Sequence, residues 1–501
     1  MNGFLEQLET INGKVNGFVW GLPMLILLVG TGIIMTILTK CFQISHFKHW
    51  IKNTVGGIFS DSKVTSHTAK EDMQISQFQS LCTALAATIG TGNIAGVAAA
   101  IASGGPGAIF WMWIVAFFGM MTNYSENVLG IYYRRRNEKD EWCGGAMYYL
   151  KDGLGSKKGC KQIGAVLAVL FSIFCVIASF GIGNMSQVNS IAINMDSAFH
   201  IPTFVTGIIL MVIAGLVIVG GLKRIASVTE KLVPFMAVIY LIGAIAVLVV
   251  NFSQVGAVFG AIIKGAFGLK AVGGGIVGSG VSLAIQWGMK RGVFSNEAGL
   301  GSSVMVHSSS NVREPVVQGM WGIFEVFADT IIVCTLTAFA VLSSGLVDLN
   351  TGAVISDKVS TALVAEAFST VFGGFGSAFI AIAILFFAFS TVLGWSQYGG
   401  KGFEYLFGRK AVKIYQILFV VFILVGATMD LALAWDLSDT FNGMMAIPNL
   451  IGVLALSGTV MKITKNYVDR KLKGQDIKPM LSAIDSIQEI HEKEMKENSS
   501  L

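Results

Sequence analysis

The sequence predicts an all-α protein that crosses a membrane many times, and three observations support this fold class. Of its 501 residues, 53% are hydrophobic and 13% are charged, whereas soluble domains carry roughly 25% charged residues. The apolar residues form runs of about 20, the length at which a helix crosses a bilayer core of roughly 30 Å. The 59 glycines and 7 prolines suit closely packed membrane helices better than a disordered chain. We therefore expect a polytopic protein embedded in a lipid bilayer.

The length rule predicts about eleven membrane-spanning helices. They are expected near residues 17–39, 78–103, 107–133, 163–195, 203–220, 232–251, 276–305, 318–343, 374–400, 412–429 and 435–461. The segment 462–501 is polar and carries both signs of charge. It is predicted to be a cytoplasmic tail, either helical or disordered.

The distribution of lysine and arginine predicts the orientation, because cytoplasmic loops carry an excess of these residues. An outside N-terminus assigns few basic residues to the outer face, namely Lys14, Lys264, Lys270 and Lys358. The inner face then receives the dense cluster at 134–161 and the basic tail. We predict a protein of the plasma (cell inner) membrane with its N-terminus outside and its C-terminus in the cytoplasm. The net charge of +5 reflects this topology, so no nucleic-acid partner is expected.

The second apolar run contains the polar, glycine-rich string GTGNIAG at residues 90–96. A phosphate-binding loop is excluded by the spacing and by the lack of a preceding strand. Gly92 and Gly96 could form a face for close helix packing. Packing alone does not require Thr91 and Asn93 at the centre of a membrane, so we favour a helix that unwinds here and offers backbone groups to a ligand.

A second interruption of the same kind is expected if the protein is built as an inverted repeat. Residues 292–299 (GVFSNEAG) interrupt the seventh apolar run. When the extra N-terminal helix 17–39 is set aside, the two interrupted helices begin two groups of five, at 78–251 and 276–461. The predicted architecture is a five-plus-five inverted repeat with discontinuous helices, and substrate binds between the two interruptions.

Three strings carry a family resemblance: GTGNIAG, GGPGAIFWMWIVAFFG at 104–119 and RGVFSNEAGLGSS at 291–303. On these strings and over nearly its whole length, the sequence resembles the alanine or glycine:cation symporter family. The resemblance implies a leucine-transporter-type fold and sodium-driven symport of small neutral amino acids, alanine and glycine, into the cell by alternating access. It implies sodium as the coupling ion and no other cofactor.

An amino-acid zwitterion needs donors for its carboxylate and acceptors for its ammonium group. The backbone N–H groups of Thr91 and Gly92 suit the carboxylate, because the half-helix that begins there directs its positive dipole end at the site. Phe294 and Trp395 are candidate pocket walls that leave room for small side chains only, although such aromatic residues also face lipid or the interface. The expected substrate-binding residues are Thr88, Thr91, Gly92, Gln187, Phe294, Ser295, Asn296 and Trp395.

The resemblance also implies sodium ligands. By similarity to the wider fold, Asn93 offers its amide oxygen to a sodium ion. In a second sodium site, the hydroxyls of Ser390 and Thr391 face the carbonyls of Ala86 and Ile89. The alternative for these hydroxyls is hydrogen bonding to their own helix. Oxygen ligands without a cage of carboxylates suit a weakly held monovalent cation.

Acidic residues within membrane spans are functional candidates, because burying them is costly. Glu297 lies in the second interruption and could bind a proton or a cation, pair with Arg291 or cap the second half-helix. An alternative to sodium symport is therefore a proton-coupled or uncoupled amino-acid transporter of the same fold. The other intramembrane acids are expected to pair or to line the intracellular route, and they are Glu126, Glu325 and Asp329.

A channel and a membrane-embedded enzyme are the alternatives from other classes. An enzyme would need a cluster of histidine, cysteine or aspartate within the spans, and the 6 histidines lie in loops, at span ends or in the tail. We therefore expect a transporter with no catalytic residue.

Overall fold

The computed structural model describes residues 2–67, 74–268, 277–429 and 432–499. Within these residues the chain is almost entirely helical, and two short strands, Arg135–Arg136 and Trp142–Cys143, pair antiparallel. The all-α prediction is confirmed. The predicted start of the seventh span at 276, the lysine at 270 and the last two tail residues lie outside the described residues.

In the described part of the chain, seven helices are long and apolar enough to cross a membrane. The lengths include short π-helical turns such as Gly181–Met185 and Phe327–Cys334. The seven helices are Glu9–Leu38, Gly107–Tyr132, Lys161–Phe199, Gly221–Val250, Pro315–Ser343, Phe375–Phe407 and Arg409–Thr428.

Two further spans are bent pairs of helices, which raises the number to nine among the described residues. Gln77–Thr88 and Thr91–Gly104 meet at 59°, and Asp436–Ala455 and Ser457–Lys471 meet at 58°. The other predicted spans correspond to the 16-residue helix Thr203–Ile218 and to the 20-residue helix Val277–Asn296. The total of about eleven spans stays a prediction.

Several shorter helices connect or extend the spans, and the sequence patterns did not predict most of them. The first predicted span is also longer than expected, since Leu22–Leu38 follows a helix at Asn2–Val19. The short helices are Phe42–Ser45, Phe47–Asn53, Val55–Ser60, Ser62–Thr65, Ala146–Tyr148, Tyr149–Leu154, Phe252–Gln254, Val255–Phe267, Val304–His307, Ser360–Phe372 and Asp485–Ser499.

The first interrupted helix starts at a capping box. The Ser76 hydroxyl accepts a hydrogen bond from the Gln79 backbone N–H, and the Gln79 side chain accepts one from the Ser76 N–H, both at 3.1 Å. Two N–H groups without intrahelical partners are satisfied in this way. Next to this cap, the Ile75 N–H donates to the Ser309 carbonyl at 3.2 Å. This bond ties the start of the first interrupted helix to the segment that follows the second.

Close packing around helix Gly107–Tyr132 depends on glycines in its neighbours. A side chain at Gly288 would collide with the Ala108 backbone, and one at Gly319 would lie 2.7 Å from the Tyr124 ring. Small residues of this kind let membrane helices approach each other.

Helix Thr203–Ile218 shows which surface faces lipid. Its exposed side chains are apolar and include Ile208, Ile209, Val212, Ile213 and Leu216. A continuous exposed apolar surface of this kind suits hydrocarbon and not water.

The tail docks on the protein through the end of helix Ser457–Lys471 and through the segment before helix Asp485–Ser499. The Arg470 guanidinium makes two hydrogen bonds to the Glu314 carboxylate at 2.8 and 2.9 Å. The Ala483 N–H donates to the Tyr132 carbonyl at 2.9 Å, so the segment also binds the end of helix Gly107–Tyr132. Of the two predicted alternatives for the tail, the helical one is confirmed for Asp485–Ser499.

Candidate functional site

The first break lies between helix Gln77–Thr88 and the single 3-10 turn Thr91–Asn93. Ile89 (φ −79°, ψ 90°) and Gly90 (φ −137°, ψ −149°) leave the helical region. The Asn93 amide oxygen accepts a hydrogen bond from the Gly90 N–H at 2.9 Å and closes the turn. The prediction that this helix unwinds at GTGNIAG is confirmed.

The second break begins later than predicted. Helix Val277–Asn296 continues through most of the predicted interruption at 292–299. The break occupies 297–303, where Glu297, Gly299 and Gly301 have φ of 56°, 94° and 73°.

Packing explains why the predicted start at Gly292 was wrong. A side chain there would lie 2.5 Å from Val115 and 3.4 Å from Met112 on the neighbouring helix. Gly292 therefore permits a close helix contact and does not unwind the chain. The unwound backbone begins one turn later. It is stabilised there by a hydrogen bond of 3.0 Å from the Ala298 N–H to the Asn296 side-chain oxygen.

The first break faces the last turn of helix Val277–Asn296, directly before the second break. A side chain at Gly92 would lie 3.3 Å from the Phe294 ring and 3.4 Å from the Ser295 backbone. Thr91 is 1% exposed, and its hydroxyl has no hydrogen-bond partner within the described residues. Since buried polar groups are normally hydrogen-bonded, this hydroxyl lies where a polar ligand would supply the missing partner.

Gln187 connects the first break to helix Lys161–Phe199. Its amide oxygen accepts a hydrogen bond from the Thr91 backbone N–H at 3.3 Å. Its amide nitrogen donates to the Ile182 carbonyl at 3.0 Å. The side chain thus makes an interhelical hydrogen bond. It also places an acceptor at the N–H group that was predicted to bind the substrate carboxylate.

Trp395 lies on helix Phe375–Phe407 and is 1% exposed. It packs against Gly183, where an added side chain would collide with the indole, and its ring centroid lies 5.4 Å from that of Tyr398. Its buried position excludes the lipid-facing alternative. Phe294 is half-buried and lies under the Arg291 guanidinium, 5.5 Å from the ring centroid.

Sequence reasoning missed Asp329, which lies between the two breaks and is fully buried. One carboxylate oxygen accepts hydrogen bonds from the Asn93 amide at 2.6 Å and the Ser295 hydroxyl at 3.1 Å. The other accepts from Thr330 at 2.8 Å. The Thr330 hydroxyl in turn accepts from the Asn296 amide at 3.0 Å. Of the two expectations for Asp329, pairing or lining the intracellular route, the structure shows pairing, with Asn93 and Ser295 as partners. The sequence signal that could have placed Asp329 at the site is an acidic residue within a membrane span.

The hydroxyls predicted for a second sodium site lie next to the first break. The Ser390 hydroxyl is 3.2 Å from the Ala86 carbonyl oxygen and 2.8 Å from the Phe387 carbonyl oxygen. Thr391 bonds to the same Phe387 carbonyl at 3.0 Å. A side chain at Gly90 would collide with the Thr391 hydroxyl. Both hydroxyls therefore bond to their own helix, and Ser390 also reaches the carbonyl predicted for it.

Comparison with known families identifies the chain. A family model described as the sodium:alanine symporter family matches residues 5–481. The chain belongs to this family. Its members are symporters, so the protein is a multi-pass membrane transporter and not an enzyme.

Two relatives cover the symporter along nearly its whole length. The chain is 45% identical over 453 residues to the sodium/alanine symporter AgcS of Methanococcus maripaludis, covering 90% of this chain and 96% of the relative. It is 35% identical over 478 residues to the amino-acid carrier protein AlsT of Bacillus subtilis, covering 95% of each.

A solved structure shares the fold of this symporter. The structure of MhsT in complex with L-phenylalanine matches with a TM-score of 0.50 and 14% identity, covering 78% of this chain and 98% of that chain. The identity is too low to carry the ligand across, and the likeness shows the fold alone. It confirms the leucine-transporter-type fold that the family resemblance implies.

The other intramembrane acids of the symporter pair as expected. Glu325 lies 3.0 Å from the His307 ring nitrogen, and both side chains are fully buried. The Glu126 carboxylate accepts a hydrogen bond from the Asn449 amide. The sequence did not place a histidine in the interior, because His307 falls just beyond a predicted span end.

Proposed function

We propose that this symporter uses the sodium gradient to carry alanine, and other small neutral amino acids such as glycine, into the cell. One observation carries the proposal. The first break and the helical turn that leads into the second break face each other, and together with Asp329 they present backbone N–H groups, amide and hydroxyl groups and one carboxylate. This set of groups suits a zwitterion and a monovalent cation.

The substrate carboxylate binds the backbone N–H groups of Thr91 and Gly92 and the free hydroxyl of Thr91. Gln187 already holds the Thr91 N–H with a neutral oxygen, and an anionic carboxylate is a stronger acceptor for a helix N-terminus. The Thr88 carbonyl and the Ser295 hydroxyl accept hydrogen bonds from the ammonium group of the substrate.

The remaining predicted residues form the rest of the site. Asn296 holds the second break in place, and Phe294 and Trp395 form the walls. Proposed sodium ligands come from both sides of the first break and from the facing helix: Ala86, Ile89, Asn93, Ser390 and Thr391. Asp329 is added to them because it bonds directly to Asn93.

The protein lies in the plasma membrane with its N-terminus outside and its C-terminus in the cytoplasm. This proposal is supported by the basic residues of loop 134–161 and of the tail. The units are the extra helix 17–39, the repeats 78–251 and 276–461, and the tail 462–501. The breaks, one near the start of each repeat, support this division.

The sodium gradient supplies enough free energy for concentrative uptake. One charge that moves across about 100 mV yields about 2.3 kcal/mol. A tenfold sodium gradient yields about 1.4 kcal/mol more. One sodium ion per alanine would therefore support roughly several-hundred-fold accumulation.

Uptake of labelled alanine into proteoliposomes tests the function, with sodium, potassium or a pH gradient as the only driving force. We expect concentrative uptake with sodium alone and its loss in Asn93→Ala. Asn251→Ala is the matched control, because the Asn251 side chain donates to the Val247 carbonyl of the preceding helix at 3.1 Å, away from both breaks. Uptake that a pH gradient drives equally well would contradict sodium coupling, and no uptake under any gradient would contradict the substrate class.

A further inference from the structure

Glu297 is a buried carboxylate in the second break that no step of the proposed symport uses. It is 3% exposed, and its backbone has the left-handed φ of 56° that glycine usually adopts. A residue held in such a conformation within a membrane span is costly twice, through backbone strain and through desolvation. The contacts of its side chain indicate which role offsets this cost.

Both carboxylate oxygens of Glu297 accept hydrogen bonds from neighbouring side chains. Oε1 accepts from the Trp395 indole N–H at 2.9 Å, and Oε2 accepts from the Ser302 hydroxyl. The Arg291 guanidinium lies instead over the rings of Trp287 and Phe294, at 5.3 and 5.5 Å. Pairing with Arg291 was one of the alternatives for Glu297, and the structure instead directs the carboxylate at the indole.

The bond between Glu297 and Trp395 joins two different kinds of helix. Glu297 follows a half-helix that ends at the break, while Trp395 belongs to the continuous 33-residue helix Phe375–Phe407. Gly183 leaves space for the indole on one side, and Tyr398 packs on another. Of these contacts, the hydrogen bond to Glu297 is the directional one, so it fixes the rotation of the ring about its side-chain bonds.

We infer that Glu297 is a positioning residue that fixes the Trp395 indole as the pocket wall and thereby sets the size limit for the substrate side chain. The inference rests on the proposed function, in which Trp395 lines the amino-acid site. Without the carboxylate, the indole turns away from the wall and the pocket admits longer apolar side chains. Specificity then depends on a residue that does not touch the substrate.

Three variants of one position separate this role from proton transfer. Glu297→Gln keeps an acceptor for the indole N–H but cannot carry a proton. Glu297→Met has a similar length and offers the indole no comparable acceptor. Both replacements meet the same left-handed backbone, so strain does not distinguish them. Trp395→Phe removes the donor, and Trp113→Phe is its control, because the Trp113 indole donates to the Thr335 hydroxyl at 2.8 Å away from the breaks.

The measured quantity is the ratio of uptake efficiency for alanine to that for methionine, in sodium-driven proteoliposomes. We expect Glu297→Gln to keep the wild-type ratio and Glu297→Met to lower it about tenfold, the value of one hydrogen bond to a charged acceptor. In the Trp395→Phe background, Glu297→Met should change the ratio no further. Alanine binding, measured by thermal shift, shows that each variant is folded.

The opposite results are equally distinct. Equal ratios for the Gln and Met variants, or equal effects of Glu297→Met with and without the indole donor, would overturn the positioning role. Loss of sodium-driven uptake in Glu297→Gln with no change of ratio in Glu297→Met would overturn it in favour of a proton-carrying role. Failure of the proposed function is seen separately, as the absence of sodium-driven alanine uptake by the unmodified protein.

Discussion

At the scale of single residues, Asp329 is the carboxylate that joins the two breaks. It bonds to Asn93 of the first break and to Ser295 in the last turn before the second break. A carboxylate binds a sodium ion more strongly than a neutral amide, because it adds a full negative charge in a site of low dielectric constant.

We therefore expect Asp329→Asn to raise the sodium concentration for half-maximal alanine uptake by about tenfold, the effect of one charge-assisted contact. Uptake measured against sodium concentration in proteoliposomes checks this. Asp357→Asn is the control, because the Asp357 side chain is 86% exposed. An unchanged sodium dependence would remove Asp329 from the ion site and leave it a structural role.

The sequence predicts a break where local residues determine the backbone conformation. It does not predict a side-chain contact whose partner lies far along the chain. The GTGNIAG string indicates that the first helix unwinds, because helix packing alone does not require threonine and asparagine at the centre of an apolar run.

 The contacts of Asp329 depend on residues more than 200 positions apart in sequence, such as Asn93, and no local pattern reveals them. Gly292 misled the prediction, because a glycine that permits close packing and one that permits unwinding look alike in a sequence.

At the scale of elements, apolar length located most of the spanning helices but not their ends. The predicted span 232–251 is helix Gly221–Val250, and the predicted span 374–400 is helix Phe375–Phe407. Both helices extend beyond the apolar run into polar residues, because intrahelical hydrogen bonds continue where hydrophobicity stops. Short connecting helices such as Ser360–Phe372 carry too few apolar residues for the length rule to detect.

The tail helix Asp485–Ser499 carries a histidine in a basic environment. The His491 ring lies 6.0 Å from the Trp142 ring, which is itself stacked between the guanidinium groups of Arg134 and Arg136, each at 3.8 Å. Burial lowers the pKa of His491, and the charges of Arg134, Arg313 and Arg136 act in the same direction, so that together they bring it to about 3. His491 is therefore neutral while the tail is docked.

Docking of the tail should weaken as the pH falls below about 6.5, the ordinary pKa of a free histidine. Below that pH the undocked tail binds a proton that the docked tail excludes until about pH 3, so proton binding favours release. Limited proteolysis of residues 472–499 at pH 7.5 and 5.5 measures this. His491→Phe should remove this contribution to the pH dependence, whereas His200→Asn should keep it. Equal pH dependence in His491→Phe and the unmodified protein would contradict the assignment.

At the scale of the whole molecule, the fold follows from two facts that a sequence displays directly. Apolar runs define the spans, and two polar interruptions define where the membrane-embedded site lies. The sequence does not display which polar side chains pair with each other in the interior of the protein, as His307 and Glu325 do. These pairs form across the molecule and depend on packing.

The orientation in the membrane is the remaining prediction, and it determines which face of the protein meets the higher sodium concentration. The basic residues between Lys462 and Lys473 offer sites for trypsin in the tail, and Lys14 offers one near the N-terminus. We expect trypsin to cleave the tail only in inverted vesicles and the Lys14 site only in right-side-out vesicles, because the positive loops stay in the cytoplasm. Detergent-solubilised protein serves as the control for cleavage at both ends. Tail cleavage in right-side-out vesicles would reverse the orientation, and the same sodium gradient would then drive alanine through the opposite face of the protein.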